Sequence, residues 1–490
     1  MANIELLMAV DIGTSGAKVG VIDTSGRLVC CSRSEYTTDR PKPGWSEQSP
    51  AVWWNATAAS IKEVVRSIDA SRLLGVCVTG LAPAMVYLDN QGEPVRAAPI
   101  WSDNRAGAEL REVLERVGSE SPANLLSQVL WLKRHEPDVY RQVRWVLQSF
   151  EFINLKLTGQ IHGLTHRTDR PFVTRADTES CGLNFDVFPE RVSRPGTFAG
   201  SVLPDVADEL GLGRGLPVIG GTVDTFSAWL GTATVSRGIA CNTIGTTSSV
   251  TLAWDEPLKD ELGRTSCMPH ITGEDWVLTG AMSSGGLVVD WFARQFYKGS
   301  AGPLTCLIRE AASVPAGADG LIALPYLEGE RSPIFDPVAR GVFFGIGQAH
   351  TRAHFARAAL ESIAFASRHV CETMAEIGGE VSEVRVAGAL ASNDLPAQII
   401  SDMLGRPVVI PEVPDSSLLG AAVMAGFAIG RFESLEHAAQ VMFKPRSRLE
   451  PVLENHARYS RMFDLYKAIY AQLKEVFAAS ASLNTDALTA

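Results

Sequence analysis

An apolar strand, Met8-Ala9-Val10, runs directly into Asp11-Ile12-Gly13-Thr14-Ser15-Gly16-Ala17-Lys18, and the Ile-Gly-Thr core returns far downstream in Cys241-Asn242-Thr243-Ile244-Gly245-Thr246-Thr247-Ser248. One such turn by itself reads as a plain hairpin. Two, in separate halves of one chain, point to two related domains that hold one anion. Glycines let the backbone approach a phosphate and aim N–H groups at it. Thr and Ser add hydroxyl donors, Lys18 adds positive charge, and Asp11 can hold a hydrated cation.

The chain is long enough for more than one core: 490 residues lead us to expect two large domains. Its net charge of −11 argues against nucleic acid or an anionic membrane as the main partner, without excluding a local phosphate nest. The eight cysteines show no Cys-x-x-Cys spacing, so neither a zinc site nor a disulfide framework is expected. The start of the chain has no signal-peptide pattern, and Leu418 to Ile429 is too short to span a bilayer. These features predict a cytoplasmic protein in a reducing compartment.

Periodicity orders the rest. Leu6–Val10, Lys18–Ile22 and Arg27–Arg33 read as an antiparallel meander. A Pro- and Trp-rich passage, Arg40 to Trp54, leads to a helix ending near Arg66. Leu74–Val78 and Met85–Leu88 read as short strands, and helices dominate from Arg105 to Leu157. Pro217–Gly221 is a buried strand leading through Thr222 and Val223 to Asp224 and a helix. At Ser236-Arg237-Gly238 the strand–turn–strand pattern restarts, which places the domain boundary there. Steps of three and four from Phe355 to Ile377 predict the longest helix, stopped at Gly378-Gly379. Val384–Ala387 reads as a strand and Leu395–Leu404 as a helix, with Ser392, Asn393 and Asp394 as capping candidates.

Several residues could carry chemistry, each with a structural alternative. Asp224, at a strand-to-helix junction, is either a helix cap or a carboxylate able to accept a hydroxyl proton. Gly388-Ala389 is an ordinary strand-to-helix turn or a close approach to a nucleotide. Asp415-Ser416-Ser417 is a cap for the small-residue helix Leu419–Ile429 or one wall of a pocket. Trp101-Ser102-Asp103-Asn104-Arg105 is a surface turn or a set that stacks on and bonds a polyhydroxylated molecule. His162 and His166 have metal-pair spacing, but Gly163 and Thr165 make a poor helix between them. The segment Gly159–Gly182 has no assignable pattern.

Taken together, these motifs resemble the FGGY carbohydrate kinase family, and within it the xylulokinase branch. Asp11 to Lys18 is similar to the family's first phosphate loop and Ile244 to Ser248 to its second. Gly44-Trp45-Ser46-Glu47-Gln48-Ser49-Pro50 with Trp53-Trp54 resembles its Trp-x-Glu-Gln-x-Pro element. Trp101 to Arg105 resembles its Trp-Asn-Asp-x-Arg element, and Asp224 falls where the family has its catalytic aspartate. The run Pro325-Tyr326-Leu327-Glu328-Gly329-Glu330-Arg331-Ser332-Pro333, continuing to Gly345, is the most specific match.

The resemblance implies an α/β fold of two actin-like (ribonuclease H-like) ATPase domains facing a central cleft. The expected boundaries are 1–235 for sugar and 236–490 for nucleotide, with the last helix free to pack back on the first domain. It implies ATP and Mg²⁺ as cofactors, a sugar or polyol as the small-molecule partner, and a homodimer as a family expectation. Asp11 and Asp224 would serve the metal, with Asp224 also the catalytic base. Gly13, Thr14, Ser15, Lys18, Gly245, Thr246 and Thr247 would hold phosphates. Ser284, Gly285, Gly388, Ala389 and Asn393 would line the nucleotide, and Ala82, Pro83, Trp101, Asp103 and Arg105 the sugar.

The chain departs from the branch in three places. Leu81-Ala82-Pro83-Ala84 stands where xylulokinases carry Gln-Met-His-Gly. Ala387-Gly388-Ala389-Leu390-Ala391-Ser392 stands for Gly-Gly-Gly-Ala-Arg-Ser, and the stretch from Val117 to Trp131 is shorter. The expected reaction is therefore phosphorylation of a small linear sugar. D-xylulose is the first candidate, with ribulose, ribitol, erythritol and gluconate as alternatives. A nucleotide-dependent module without turnover is the alternative of a different class, and intact Asp11 and Asp224 weigh against it.

Overall fold

Asp11 faces Lys18 across a tight hairpin, and that pairing sets the frame of the first half. The computed structural model describes residues 5–118, 122–165, 173–388, 390 and 393–489. They form two compact units: Met1–Ala233 with His270–Gly273 and Asp415–Phe443, and the remainder from Thr234 to Ala490.

In the first unit, β1 (Leu6–Ile12), β2 (Gly16–Asp23) and β3 (Leu28–Glu35) form the expected meander. Helix α1 (Pro50–Val65) starts with Pro50, whose missing N–H is no loss in a first turn, and buries Trp53 and Ile61. Strand β4 (Leu73–Gly80) runs parallel to β1, with Asp11 beside Thr79 and Ile12 beside Gly80. Helix α2 (Ser149–Thr158) follows, then β5 (Thr197–Ser201) and β6 (Pro217–Val223). The sheet order is β5-β6-β4-β1-β2-β3, with β6, β4 and β1 parallel. Three chain segments thus leave the sheet at adjacent carboxyl ends. Asp11–Gly13 leaves from β1, Leu81–Ala84 from β4 and Asp224 from β6. Helix α3 (Asp224–Gly231) begins on that aspartate.

The second unit repeats the plan. Strands β7 (Ile239–Ile244), β8 (Ser248–Trp254), β9 (Ser266–Pro269) and β10 (Trp276–Met282) are antiparallel, and β11 (Glu383–Ala387) and β12 (Val408–Pro411) run parallel to β7. With β13 (Pro445–Leu449) the order is β9-β10-β8-β7-β11-β12-β13. In each unit an antiparallel run, of three strands in the first and four in the second, feeds three parallel strands and ends on an antiparallel edge. The longest periodic helix predicted from sequence is Arg352–Glu376. The last helix, Leu453–Thr489, belongs to this unit and buries Tyr459, Phe463 and Tyr466 in its core.

One late segment belongs to the first unit. Helix α4 (Ser416–Ala428) packs on β1, β4 and β6 and along α3. It is apolar nearly all round, as a helix buried on most faces must be. Leu418, Leu419, Val423 and Met424 are each at most 2% exposed, and burying each contributes about 1.5–3 kcal/mol. Among the described residues, no helix is long and apolar enough to cross a membrane.

Candidate active site

In the first unit the loop after β1 is a four-residue turn closed by the Gly13 N–H donating to Gly16 O at 3.0 Å. Gly16 itself admits no side chain, because a Cβ there would lie 2.7 Å from Ser34 O. The turn is braced from outside. Tyr36 Oη donates to Gly13 O at 2.7 Å, Gln48 Nε2 to Thr14 O at 2.7 Å, Trp101 Nε1 to Thr14 Oγ1 at 3.0 Å, and Arg33 to Ser15 Oγ at 3.0 Å. Gln48 is held in turn by Trp53 Nε1 at 2.8 Å. The Gln48 and Trp53 elements of the sequence therefore anchor the turn.

Asp11 is 4% exposed. Its Oδ2 accepts from Ser417 Oγ at 2.7 Å and lies 3.9 Å from Lys18 Nζ, while its Oδ1 is buried with no hydrogen-bond partner. Burial raises this carboxyl from 3.8 to about 7, Lys18 opposing, Asp224 and Asp415 adding to the rise. Lys18 makes its shorter pair with Asp415, at 2.8 and 2.9 Å to the two oxygens. Burial alone would lower the ammonium, but Asp11 and Asp415 together hold it above its usual value. Asp224 is partly buried at the first position of α3. Burial raises its carboxyl, against hydrogen bonds from Thr225 N and Oγ1 at 2.6 and 3.2 Å.

The sugar-side candidates separate into two kinds. Ala82 and Pro83 lie in the loop leaving β4. That loop is fixed by Leu81 N donating to Ile12 O at 2.8 Å and Ala84 N to Gln148 Oε1 at 3.0 Å. Trp101 is 42% exposed, and its Nε1 is the atom that bonds Thr14. Asp103 and Arg105 are instead bonded to protein. Arg105 holds Asp103 at 2.8 and 2.6 Å, reaches Glu47 at 2.5 Å and stacks 3.7 Å over the Trp45 ring, while Ser46 N donates to Asp103 Oδ2.

In the second unit Gly245-Thr246-Thr247 forms the hairpin between β7 and β8, and the segment after β10 folds onto it. Gly285 N and Leu287 N donate to Thr246 O and Gly286 N to Gly245 O, at 2.7–3.2 Å. A Cβ on Gly285 would lie 2.6 Å from Thr247 O. Glu330 Oε1 accepts from Ser283 N at 2.5 Å and Arg331 N at 2.8 Å, so the Glu-Gly-Glu-Arg run braces this corner. Ser284 Oγ and Glu330 Oε2 are both buried there without a partner. Gly388 sits at φ +97°, and a Cβ would come 2.3 Å from Ile244 O. It therefore packs against the end of β7 as only glycine can. Asn393 precedes the helix Asp394–Leu404 and makes no side-chain cap bond. Ala389 lies outside the described residues, as does His166. His162 bonds Ser193 Oγ at 2.7 Å.

Among the described residues no three His, Cys, Asp or Glu side chains form a metal cluster. A Mg²⁺ that keeps most of its oxygens from water and phosphate needs no more than one or two carboxylates, and the unshared Asp11 Oδ1 fits that demand. Sequence spacing gave Asp11, Lys18 and Asp224. It carried no sign that Lys18 pairs with a residue almost four hundred positions later, or that Glu330 supports the second turn.

Comparison with known proteins gives two family matches. Residues 6–231 match the N-terminal domain of the FGGY family of carbohydrate kinases, and residues 240–429 match its C-terminal domain. The chain is 29% identical to "Xylulose kinase" of Bacillus subtilis (strain 168), over 96% of this chain and 97% of that protein. It is 26% identical to "Gluconokinase" of the same organism, over 94% of each. The crystal structure of xylulose kinase from Rhodospirillum rubrum superposes with a TM-score of 0.84 at 27% identity, covering 97% of this chain and all of that one.

Proposed function

The chain belongs to the FGGY family of carbohydrate kinases, and from that premise we propose that it transfers the terminal phosphate of ATP to a hydroxyl of a small linear sugar, D-xylulose first. The observation that carries the reading is the pair of carboxyls, buried Asp11 and partly buried Asp224, at the carboxyl ends of two strands that flank β4. Ligand sites of open α/β sheets form at such ends.

Asp224 is the base. Phosphoryl transfer passes through a loose transition state, so the residue needs only to orient the attacking hydroxyl and take its proton. A carboxylate made more basic by burial is suited to that task. The turn Gly13–Lys18 and the turn Gly245–Thr247 supply N–H and hydroxyl donors to phosphates, and Ser284, Gly285, Gly388 and Asn393 line the nucleotide. Asp11, through its unshared Oδ1, would hold Mg²⁺, which would supply positive charge to neutralise the phosphates. Trp101 offers its ring to the sugar.

Xylulose is favoured by the similarity to xylulose kinases along nearly the whole chain. Gluconate is the second reading. Leu81–Ala84 offers no side-chain donor or acceptor where the xylulokinase pattern has an imidazole and an amide, and a gluconokinase is also among the full-length relatives. The deciding measurement is ADP release in a coupled assay across xylulose, ribulose, ribitol, erythritol and gluconate. The expected result is a kcat/KM for xylulose well above the others. In Asp224→Ala, kcat should fall by about three or more orders of magnitude with ATP binding retained. Gluconate turning over best would replace the sugar assignment, and near-normal turnover in Asp224→Ala would remove the base assignment.

A further inference from the structure

We infer that Asp415 and Ser417, at the start of α4, are positioning residues for Asp11: Asp415 keeps the Lys18 ammonium off the Asp11 carboxylate, and Ser417 fixes that carboxylate so that Oδ1 stays unshared. The inference rests on the reading of Asp11 as the metal-holding carboxylate.

The donors around Asp11 are unequally placed. Ser417 Oγ at 2.7 Å and Lys18 Nζ at 3.9 Å both approach Oδ2, and Oδ1 receives nothing. Lys18 stands directly across the β1–β2 hairpin from Asp11, so pairing between them is the simplest outcome of the register. It is held to a long contact of 3.9 Å because both oxygens of Asp415 take the ammonium at 2.8 and 2.9 Å. Asp415 occupies the cap position of α4, yet its side chain makes no bond to the helix backbone. A capping Asp would spend its carboxylate on the second or third N–H of the helix. This one is turned to Lys18, with Ser417 Oγ 3.3 Å from its Oδ1.

The segment cannot drift away from Asp11. Ser227 Oγ of α3 donates to Ser417 O at 2.8 Å. Gly231 of α3 lies against Ser416 O and Gly420 of α4 against Ser227 O, so closely that a Cβ on either glycine would come within 1.8 Å. The helix that begins with Asp224 is therefore clasped to the one that presents Asp415 and Ser417. Remove Asp415, and among the described residues the carboxylate left within ion-pair distance of Lys18 is Asp11, with Asp224 farther off. An ammonium closing on it cancels the charge that a divalent cation requires. Groups that orient a metal ligand typically change metal affinity by 10–100-fold when removed.

The test is Mn²⁺ uptake in the presence of ADP, followed by electron paramagnetic resonance on the full-length protein, with ADP affinity also measured in EDTA. Asp415→Asn should weaken Mn²⁺ binding by about tenfold or more. In a Lys18→Met background the same substitution should change it by less than about twofold, because no ammonium is left to release. Ser417→Ala should weaken Mn²⁺ binding, and Ser417→Thr, which keeps the hydroxyl, should restore it. Thermal melting of each variant identifies any that fails to fold, and the Ser417 pair then decides. Wild-type affinity in Asp415→Asn, or an equal loss with and without Lys18, overturns the inference. If the wild type takes up no Mn²⁺ with ADP, the metal reading of Asp11 falls and this inference with it. Normal wild-type uptake with unaffected variants overturns only the inference.

Discussion

Glu151 shows how much one buried acid can set the pH response of the first unit. It is 6% exposed, the third residue of α2, and its two oxygens accept Leu164 N at 2.6 Å and Gln148 N at 2.7 Å. Burial pushes its carboxyl from 4.5 to about 7, against those two bonds. Below pH 4.5 the acid is protonated whether the chain is folded or not. As pH rises towards 7 the unfolded chain releases its proton first, so this residue's contribution to stability is lost through that window. The loss amounts to roughly 3 kcal/mol. Glu151→Gln cannot titrate, and its amide oxygen can satisfy only one of the two N–H groups fully. We expect the variant to be less stable than wild type by about 1 kcal/mol at pH 5. By pH 7.5 the gap should have closed or reversed, as read by urea unfolding at each pH. A gap independent of pH would show that Glu151 is charged in the fold throughout. At this scale the sequence was only partly readable. Asp11 and Asp224 were nameable as candidates from their places at strand ends, although Asp224 read equally as a helix cap. Trp101 to Arg105 read as either a surface turn or a set for a polyhydroxylated molecule, and a five-residue window does not contain Trp45 and Glu47, which enclose the Arg105 guanidinium.

Between elements, the contact of α3 with α4 is the tightest test of the proposed site. Both helices begin at chemistry-bearing residues, Asp224 and Asp415–Ser417, and both meet through glycine. An alanine at Gly420 would place its Cβ 1.8 Å from Ser227 O, a backbone atom that cannot rotate aside. The helices must then separate. We expect Gly420→Ala to lower stability by about 1–3 kcal/mol and to reduce kcat more than either KM, since Ser417 moves away from Asp11. Chemical denaturation and steady-state kinetics on one preparation would check both, and unchanged kcat at reduced stability would confine the glycine to packing. The elements themselves were legible. Period-three-and-four spacing predicted Phe355–Ile377 and the structure has Arg352–Glu376; the meander at the start of the chain and the strand before Asp224 also stand as read. Periodicity reports local geometry, which these residues dictate. Which sheet the small-residue helix α4 would cover depends on surfaces distant in sequence, and no local pattern encodes that.

At the scale of the whole molecule, the chain is not cut where its sequence pattern restarts. Residues 1–233 make most of the first unit, but its sheet is covered on one side by α4, supplied from positions 416–428 after most of the second unit has been built. Without α4, whose Leu418, Leu419, Val423 and Met424 are buried, the apolar surface it covers on the sheet would face water. Burial of those four side chains alone is worth about 1.5–3 kcal/mol each, comparable in sum to the net stability of an ordinary domain. A fragment ending at Ala233 should therefore expose apolar surface and aggregate. The same fragment carrying residues 415–443 on a flexible linker should be soluble and melt cooperatively. Dye binding, size-exclusion chromatography and circular dichroism melts separate these outcomes. The linked fragment offers one further check, since Asp11, Lys18, Asp224, Asp415 and Ser417 all lie within it. The carboxyl carbons of Asp11 and Asp224, followed by carbon-detected NMR, should show raised pKa values there, as burial in the complete chain dictates. Ordinary aspartate values in a folded, cooperative fragment would mean that the burial which tunes both groups does not come from the first unit alone.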